Sequence, residues 1–414
     1  SVVIVVLVVS ISAGLLLLQP PAPEHSASAG TAAVVLQADD NLRWYRGNIH
    51  THSLWSDGDD YLEMIALWYS DRGYDFLCFT DHHVLSNSER WTDVLKNKGG
   101  RKAYDKLKAR FPDWVDERTV DGRLEVRLRR FDEVAGKVGV PGKFLLMMGE
   151  EISDRFDQYP IHLNVSNVHD LIPPLGGESV YDTIQNNVDA AVAQRERTGQ
   201  PMLVHLNHPN FYYAVTAEDF MRVRGEKFFE VYNGHPSVHN SGDELHASTE
   251  RIWDIVLTRN FEPGRGWVTV LASGLAPASL IEAMEAGRFY ASSGVTLDKV
   301  VASEKGLEVA VRPDDGTVYS IEFIGTRRGY DPESKPVVGK DGTEIRATRL
   351  YSGDIGTVLR KVSGPSASYE FTGDEIYVRA TVTSSRRHPN PAEAGELERA
   401  WVQPVVGPAA MKTA

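Results

Sequence analysis

From residue 44 onward, short apolar runs alternate with segments of helical periodicity. The runs cover 44–50, 74–80, 143–149, 161–165, 202–205 and 228–232. Between them, apolar positions recurring at three- and four-residue intervals predict amphipathic helices over 61–70, 179–197, 217–223 and 245–257. Such alternation predicts an α/β fold with parallel strands, and a barrel is its economical arrangement. After residue 295 the pattern changes. Runs at 307–311, 318–324, 375–382 and 400–406 read as strands, separated by turns such as Asp315-Gly316, Asp341-Gly342 and Thr372-Gly373-Asp374. This predicts a small all-β, sandwich-like C-terminal domain over 298–406, following a barrel over 40–297.

The polar residues that end these runs carry the chemistry. His50 and His52 end the first, one residue apart, so an extended backbone turns both imidazoles to the same side. Asp57-Gly58 follows in a turn-forming context that can fold a carboxylate back toward them. Asp81 and His82, with His83 beside them, end the second run, and Glu150 and Glu151 the third. His162 lies in the fourth, His205 and His208 end the fifth, and Glu230 falls in the sixth. In a β/α barrel, residues at the carboxyl ends of strands converge on one face. Neutral imidazoles with carboxylates suit zinc, manganese or iron. Spacing does not choose between Glu150 and Glu151 or between His82 and His83, and His205 is either a rival to His208 or a core histidine.

The amino terminus and the charge restrict the function further. Residues 2–18 are almost wholly apolar, and a Pro, Ala and Ser-rich stretch follows to residue 31. That reads as an export signal over 1–30, with Ala27-Ser28-Ala29 as a cleavage site, or as a membrane anchor at the short limit of spanning length. Either implies an exported, periplasmic or extracellular protein. Forty-four basic against 57 acidic residues, a net charge of −13, argue against a nucleic-acid partner. Segment 86–134 is locally rich in Lys and Arg but nearly balanced by acids, and reads as a solvated insertion forming part of a lid. Cys78, the single cysteine, sits in an apolar run and reads as an inert buried thiol.

The series His50-Thr51-His52, Ser56-Asp57-Gly58, Thr80-Asp81-His82, Gly149-Glu150-Glu151, His162 and His208-Pro209 resembles the polymerase and histidinol phosphatase (PHP) domain over about 44–297. Gly73-Tyr74-Asp75-Phe76-Leu77, Pro263-Gly264-Arg265-Gly266-Trp267 and Gly287-Arg288-Phe289-Tyr290-Ala291-Ser292 look most like its exported carbaryl hydrolase-like (CehA/McbA) members. The resemblance implies a distorted seven-stranded TIM-like (β/α) barrel holding two or three divalent ions, zinc, manganese or iron. It implies His50, His52, Asp57, His82, Glu151, His162 and His208 as metal ligands, with Glu151 bridging. Asp81 would accept a hydrogen bond that orients His82. Arg265 is a candidate for holding a substrate anion, or caps a turn.

One departure stands out. The family carries a final Asp-x-His pair after its seventh strand, whereas here 253–258 passes through Arg259-Asn260-Phe261 directly to Pro263. The expected function is hydrolysis of a small phosphoester, carboxyl ester or carbamate by a metal-activated water. The alternative is a metal-poor binding protein derived from such an enzyme, and a proofreading-type nuclease is a weaker third reading.

Overall fold

The computed structural model describes residues 34–411 except Lys227, 261–267 and Ala392. The export or anchor segment, Arg265 and the junction where the Asp-x-His pair would stand lie outside the described residues. Among the described residues, no helix is long and apolar enough to cross a membrane.

The strand Phe76–Phe79 shows how the sheet is covered. All four of its residues are buried, as in a central parallel strand packed on both faces. Alternation sends Leu77 and Phe79 toward the helices Leu62–Ser70 and Phe131–Val138. Phe76 and Cys78 face the other way and join Ile49, Met147, Leu203, Val270 and the helix Pro277–Glu285. Arg43–Asn48, Phe76–Phe79 and the start of Leu145–Phe156 pair in parallel. Tyr159–Ser166 then returns antiparallel to Leu145–Phe156, and Leu203–Leu206 is antiparallel to Tyr159–Ser166. The long helix Val180–Thr198 bridges these last two strands. It opens where the Ser179 hydroxyl accepts the Asp182 amide and stops at Gly199 in the left-handed region.

Among the described residues the expected barrel does not close. On the outer side of Leu203–Leu206 the described residues give only an isolated parallel bridge from Leu206 to Phe229. At the other end Val268–Ala272 lies antiparallel to Arg43–Asn48 and passes the ladder to Phe289–Ser292. A TIM-type barrel needs every strand parallel. Here Tyr159–Ser166 and Val268–Ala272 run antiparallel to their neighbours, which is not the TIM pattern, and the sheet continues sideways past Val268–Ala272.

It grows into the C-terminal β region. Phe289–Ser292 pairs with Leu397–Val406, and Glu375–Arg387, Tyr319–Arg327 and Thr357–Ser363 follow, giving eleven strands in one sheet. A second sheet of four strands, Val34–Gln37, Leu297–Ser303, Gly306–Val311 and Ser366–Glu370, shares an apolar cluster with it. That cluster includes Leu36, Val300, Val309, Ile321, Phe323, Val378 and Val402. The helix Thr249–Asn260 is tied to this region through Arg379, which is 1% exposed. Its guanidinium donates to both oxygens of Asp254 at 2.8 Å, while the Tyr377 hydroxyl donates to the same carboxylate.

The insertion 86–134 is ordered. It holds a three-stranded antiparallel sheet, Arg90–Asp93, Glu117–Val120 and Arg123–Leu128, and the helix Gly100–Arg110. Trp55, almost fully buried, donates its indole N–H to the Arg129 carbonyl and so pins the insertion to the loop after the first strand.

Candidate metal centre

The loop carrying the first three site residues begins where Arg43–Asn48 ends. Thr51 and Thr80 extend the parallel pairing beyond the strands, through Thr51 N–H to the Thr80 hydroxyl and Thr80 N–H to the Thr51 carbonyl. Asp81 then organises the turn. Its carboxylate accepts from the Ser53 amide at 2.7 Å, the Ser53 hydroxyl at 2.7 Å and the Ser56 hydroxyl at 2.6 Å. Gly58 closes the loop, since a Cβ there would lie 2.6 Å from the His52 carbonyl oxygen.

Glu151 is the centre of the arrangement. Its carboxylate is fully buried, and imidazoles surround both oxygens. Around Oε2 lie His52 Nε2 at 2.9 Å, His50 Nε2 at 3.2 Å and His82 Nδ1 at 3.4 Å. Around Oε1 lie His162 Nδ1 at 3.0 Å and His208 Nε2 at 3.5 Å, and the Asn207 amide donates to it at 2.8 Å. Asp57 completes the rim, with Oδ1 3.4 Å from His82 Nε2 and 3.7 Å from His52 Nδ1. All seven residues expected as ligands therefore meet in one cluster. Alternation along Leu145–Phe156 separates the two glutamates. Glu150 faces away, accepts the Ile172 amide at 2.9 Å, and is pushed by burial up to about 7. His82 enters the cluster, while His83 is exposed.

Two supports differ from expectation. Asp81 does not orient His82, because its hydrogen bonds go to Ser53 and Ser56. The His82 Nδ1 instead meets the Ser153 hydroxyl, two residues beyond Glu151 on the same face. Glu230, an acid in the sixth apolar run outside the expected ligand set, stands 2.6 Å from His50 Nδ1. It also accepts the His208 amide and the Asn233 side-chain amide, each at 2.9 Å. Only its place within the sixth apolar run signalled it. His205 is buried beneath, Nε2 4.0 Å from Glu230, with neither ring nitrogen hydrogen-bonded.

The electrostatics follow from this packing. Burial alone would raise the Glu151 carboxyl, but the imidazoles, His50 foremost, hold it well below the usual carboxylate range. Glu230 is likewise held down to about 2 against burial, chiefly by His50. His50 is opposed by burial yet raised well above its ordinary value by Glu230 and Glu151. Burial prevails at His82 and His205, each pushed down to about 4, and at His208, which is also lowered.

The donor set fits metal ions. Five imidazole nitrogens converge on the two oxygens of one carboxylate, more than it can satisfy as hydrogen-bond acceptor along good directions. His50 Nε2 and His52 Nε2 face each other at 3.0 Å, and His52 Nδ1 is buried without a hydrogen-bond partner. Overlapping triads of donor atoms close enough to share an ion are His50–His52–Glu151, His50–His208–Glu230, His52–Asp57–His82 and His82–Glu151–His162. Phe211 packs its ring against His208 and His162, with centroids 5.1 and 6.0 Å away, and walls one side.

No family model and no curated protein sequence matches the chain. Among solved structures it is similar to a "putative metal-dependent phosphoesterase" from Bifidobacterium adolescentis, at 12% identity and a TM-score of 0.30, over 56% of this chain and 88% of that one. It is also similar to PsfC from Pseudomonas syringae (12% identity, TM-score 0.28, 64% and 83% covered). A third is an amidohydrolase from Chromobacterium violaceum (10% identity, TM-score 0.26, 54% and 86% covered).

Proposed function

We propose that this chain is an exported, metal-dependent hydrolase of the PHP superfamily, of carbaryl hydrolase-like (CehA/McbA) type, acting on a small phosphoester or on an ester or carbamate. The observation that carries this reading is the enclosure of both Glu151 oxygens by five imidazole nitrogens in a buried setting. His50, His52, Asp57, His82, Glu151, His162 and His208 would hold the ions. Divalent ions held there would supply Lewis-acid chemistry, activating water and polarising the substrate's phosphoryl or carbonyl oxygen.

The chain's other residues fix that donor set. Glu230 accepts the His50 Nδ1 proton, which leaves His50 Nε2 free to face Glu151. Ser153 engages His82 Nδ1 and leaves His82 Nε2 facing Asp57. The Asn207 amide prevents the Glu151 carboxylate from rotating. Phe211 covers the His162–His208 side with its ring.

The test is elemental analysis of protein purified without chelator or affinity metal, together with turnover of p-nitrophenyl phosphate, bis(p-nitrophenyl) phosphate, p-nitrophenyl acetate and a naphthyl carbamate. Stoichiometric transition metal and chelator-sensitive turnover of at least one substrate are expected. Sub-stoichiometric metal after reconstitution, with no turnover, would leave a metal-poor binding protein instead.

A further inference from the structure

The proposed chemistry leaves one charged residue at the rim without a role. Lys98 Nζ lies 3.1 Å from Asp57 Oδ2, on the side of that carboxylate away from His52 and His82. Among the described ion pairs, the partners of Asp57, Glu151 and Glu230 are otherwise all histidines. Lys98 is thus the cluster's permanent positive charge. Its side chain is 62% exposed and that of Asp57 52%, so water screens the pair and holds it weakly. The ammonium is free to exchange Asp57 for another anion.

The backbone holds Lys98 at this place. Gly99 runs so close to the Asp57 loop that a Cβ would sit 2.5 Å from the Asp59 carbonyl oxygen. Lys106 makes a second tie to the loop by pairing with Asp60. Ala103, Tyr104 and Leu107 bury the inner face of the helix Gly100–Arg110. The charge of this piece is also uneven. In a chain of net charge −13, residues 95–110 carry seven basic side chains and one acidic, Asp105. The acids that balance the insertion lie mostly beyond Arg110.

We propose that Lys98 is the oxyanion-binding residue of this site, and that the substrate is accordingly a small phosphoester bearing negative charge rather than a neutral ester. This rests on the metal-dependent hydrolase reading. Lys98 donates to a non-bridging phosphoryl oxygen at the rim, and the basic stretch behind it attracts the anion to an otherwise acidic protein. A lysine suits this role because it binds phosphate as a mobile point charge.

Calorimetric titration of inorganic phosphate into the manganese-loaded full chain tests the proposal, with wild type, Lys98→Gln and Lys98→Arg compared alongside metal content. Lys98→Gln is expected to weaken phosphate binding on the order of tenfold, and Lys98→Arg to keep most of it, with metal content unchanged. KM for p-nitrophenyl phosphate should rise at nearly constant kcat in Lys98→Gln and stay near the wild-type value in Lys98→Arg. Equal phosphate affinity in wild type and Lys98→Gln overturns the proposal. So does a change in metal content without a change in phosphate binding, which would make Lys98 a stand-in for the cation at Asp57. Failure of the hydrolase reading is separate, because it shows as no metal retained and no turnover in wild type.

Discussion

Glu230→Gln isolates the pairing of Glu230 with His50. The amide has the size of the carboxylate and can still accept from the His208 amide, so packing is nearly preserved while the charge is removed. In the metal-free protein Glu230 falls from 4.5 to about 2. Converted at 1.36 kcal/mol per unit, that is about 3 kcal/mol of stability. Its pH window has two sides. A carboxyl with a depressed folded pKa contributes fully above its unfolded value near 4.5, and the contribution disappears as pH falls toward 2. His50, raised in the folded state, contributes fully below its unfolded value of 6.5 and loses that contribution as pH rises through its higher folded value. The two shifts describe one interaction and are counted once. The stability difference between wild type and Glu230→Gln, from urea unfolding of chelator-treated protein, should therefore be largest between about pH 4.5 and 6.5 and shrink on both sides. A difference below about 1 kcal/mol, or one flat from pH 3 to 9, would refute the argument. With metal restored, the same variant should bind it about 10- to 100-fold more weakly, because His50 loses the carboxylate that orients it.

Two further predictions concern residues outside the cluster. Arg379→Met should destabilise the protein by about 3–5 kcal/mol, because it strands the buried Asp254 carboxylate, and Asp254→Asn in the same chain should recover part of the loss in urea unfolding. Cys78, buried and pushed up to about 11, should resist a thiol reagent at pH 8 until denaturant is added, and prompt labelling in native buffer would contradict its placement.

Much of the site was legible because its signals are local. His50 and His52 share a side through the two-residue repeat, and their strand-end position is visible in the apolar run before them. Spacing alone does not choose Glu151 over Glu150; the resemblance implies Glu151, and alternation along Leu145–Phe156 turns that residue into the cluster. Glu230, Ser153 and Asn207 belong to no motif, and their roles exist only through contacts across strands. Asp81 was misread for the same reason, since it lies beside His82 in sequence but turns its oxygens to Ser53 and Ser56. Most helices and strands fell near their expected places, whereas barrel closure did not. Periodicity locates a strand without giving its direction, and the reversal of Tyr159–Ser166 and Val268–Ala272 departs from the all-parallel order that a TIM-type barrel requires. Averaging charge over 86–134 likewise hid the one-sided stretch from Lys96 to Arg110.

The ladder that passes from Val268–Ala272 through Phe289–Ser292 to Leu397–Val406 also governs how portable the site is. A chain cut after residue 297 would keep every residue of the Glu151 cluster but expose a bare row of N–H and C=O groups along Phe289–Ser292, an invitation to edge-to-edge aggregation. It would also uncover Tyr232, which stacks on Trp401 with ring centres 5.6 Å apart and stands two residues from Glu230. The cluster is therefore not portable as a minimal fragment, and an insoluble 34–297 fragment would reflect that missing neighbour rather than a defect in the cluster itself.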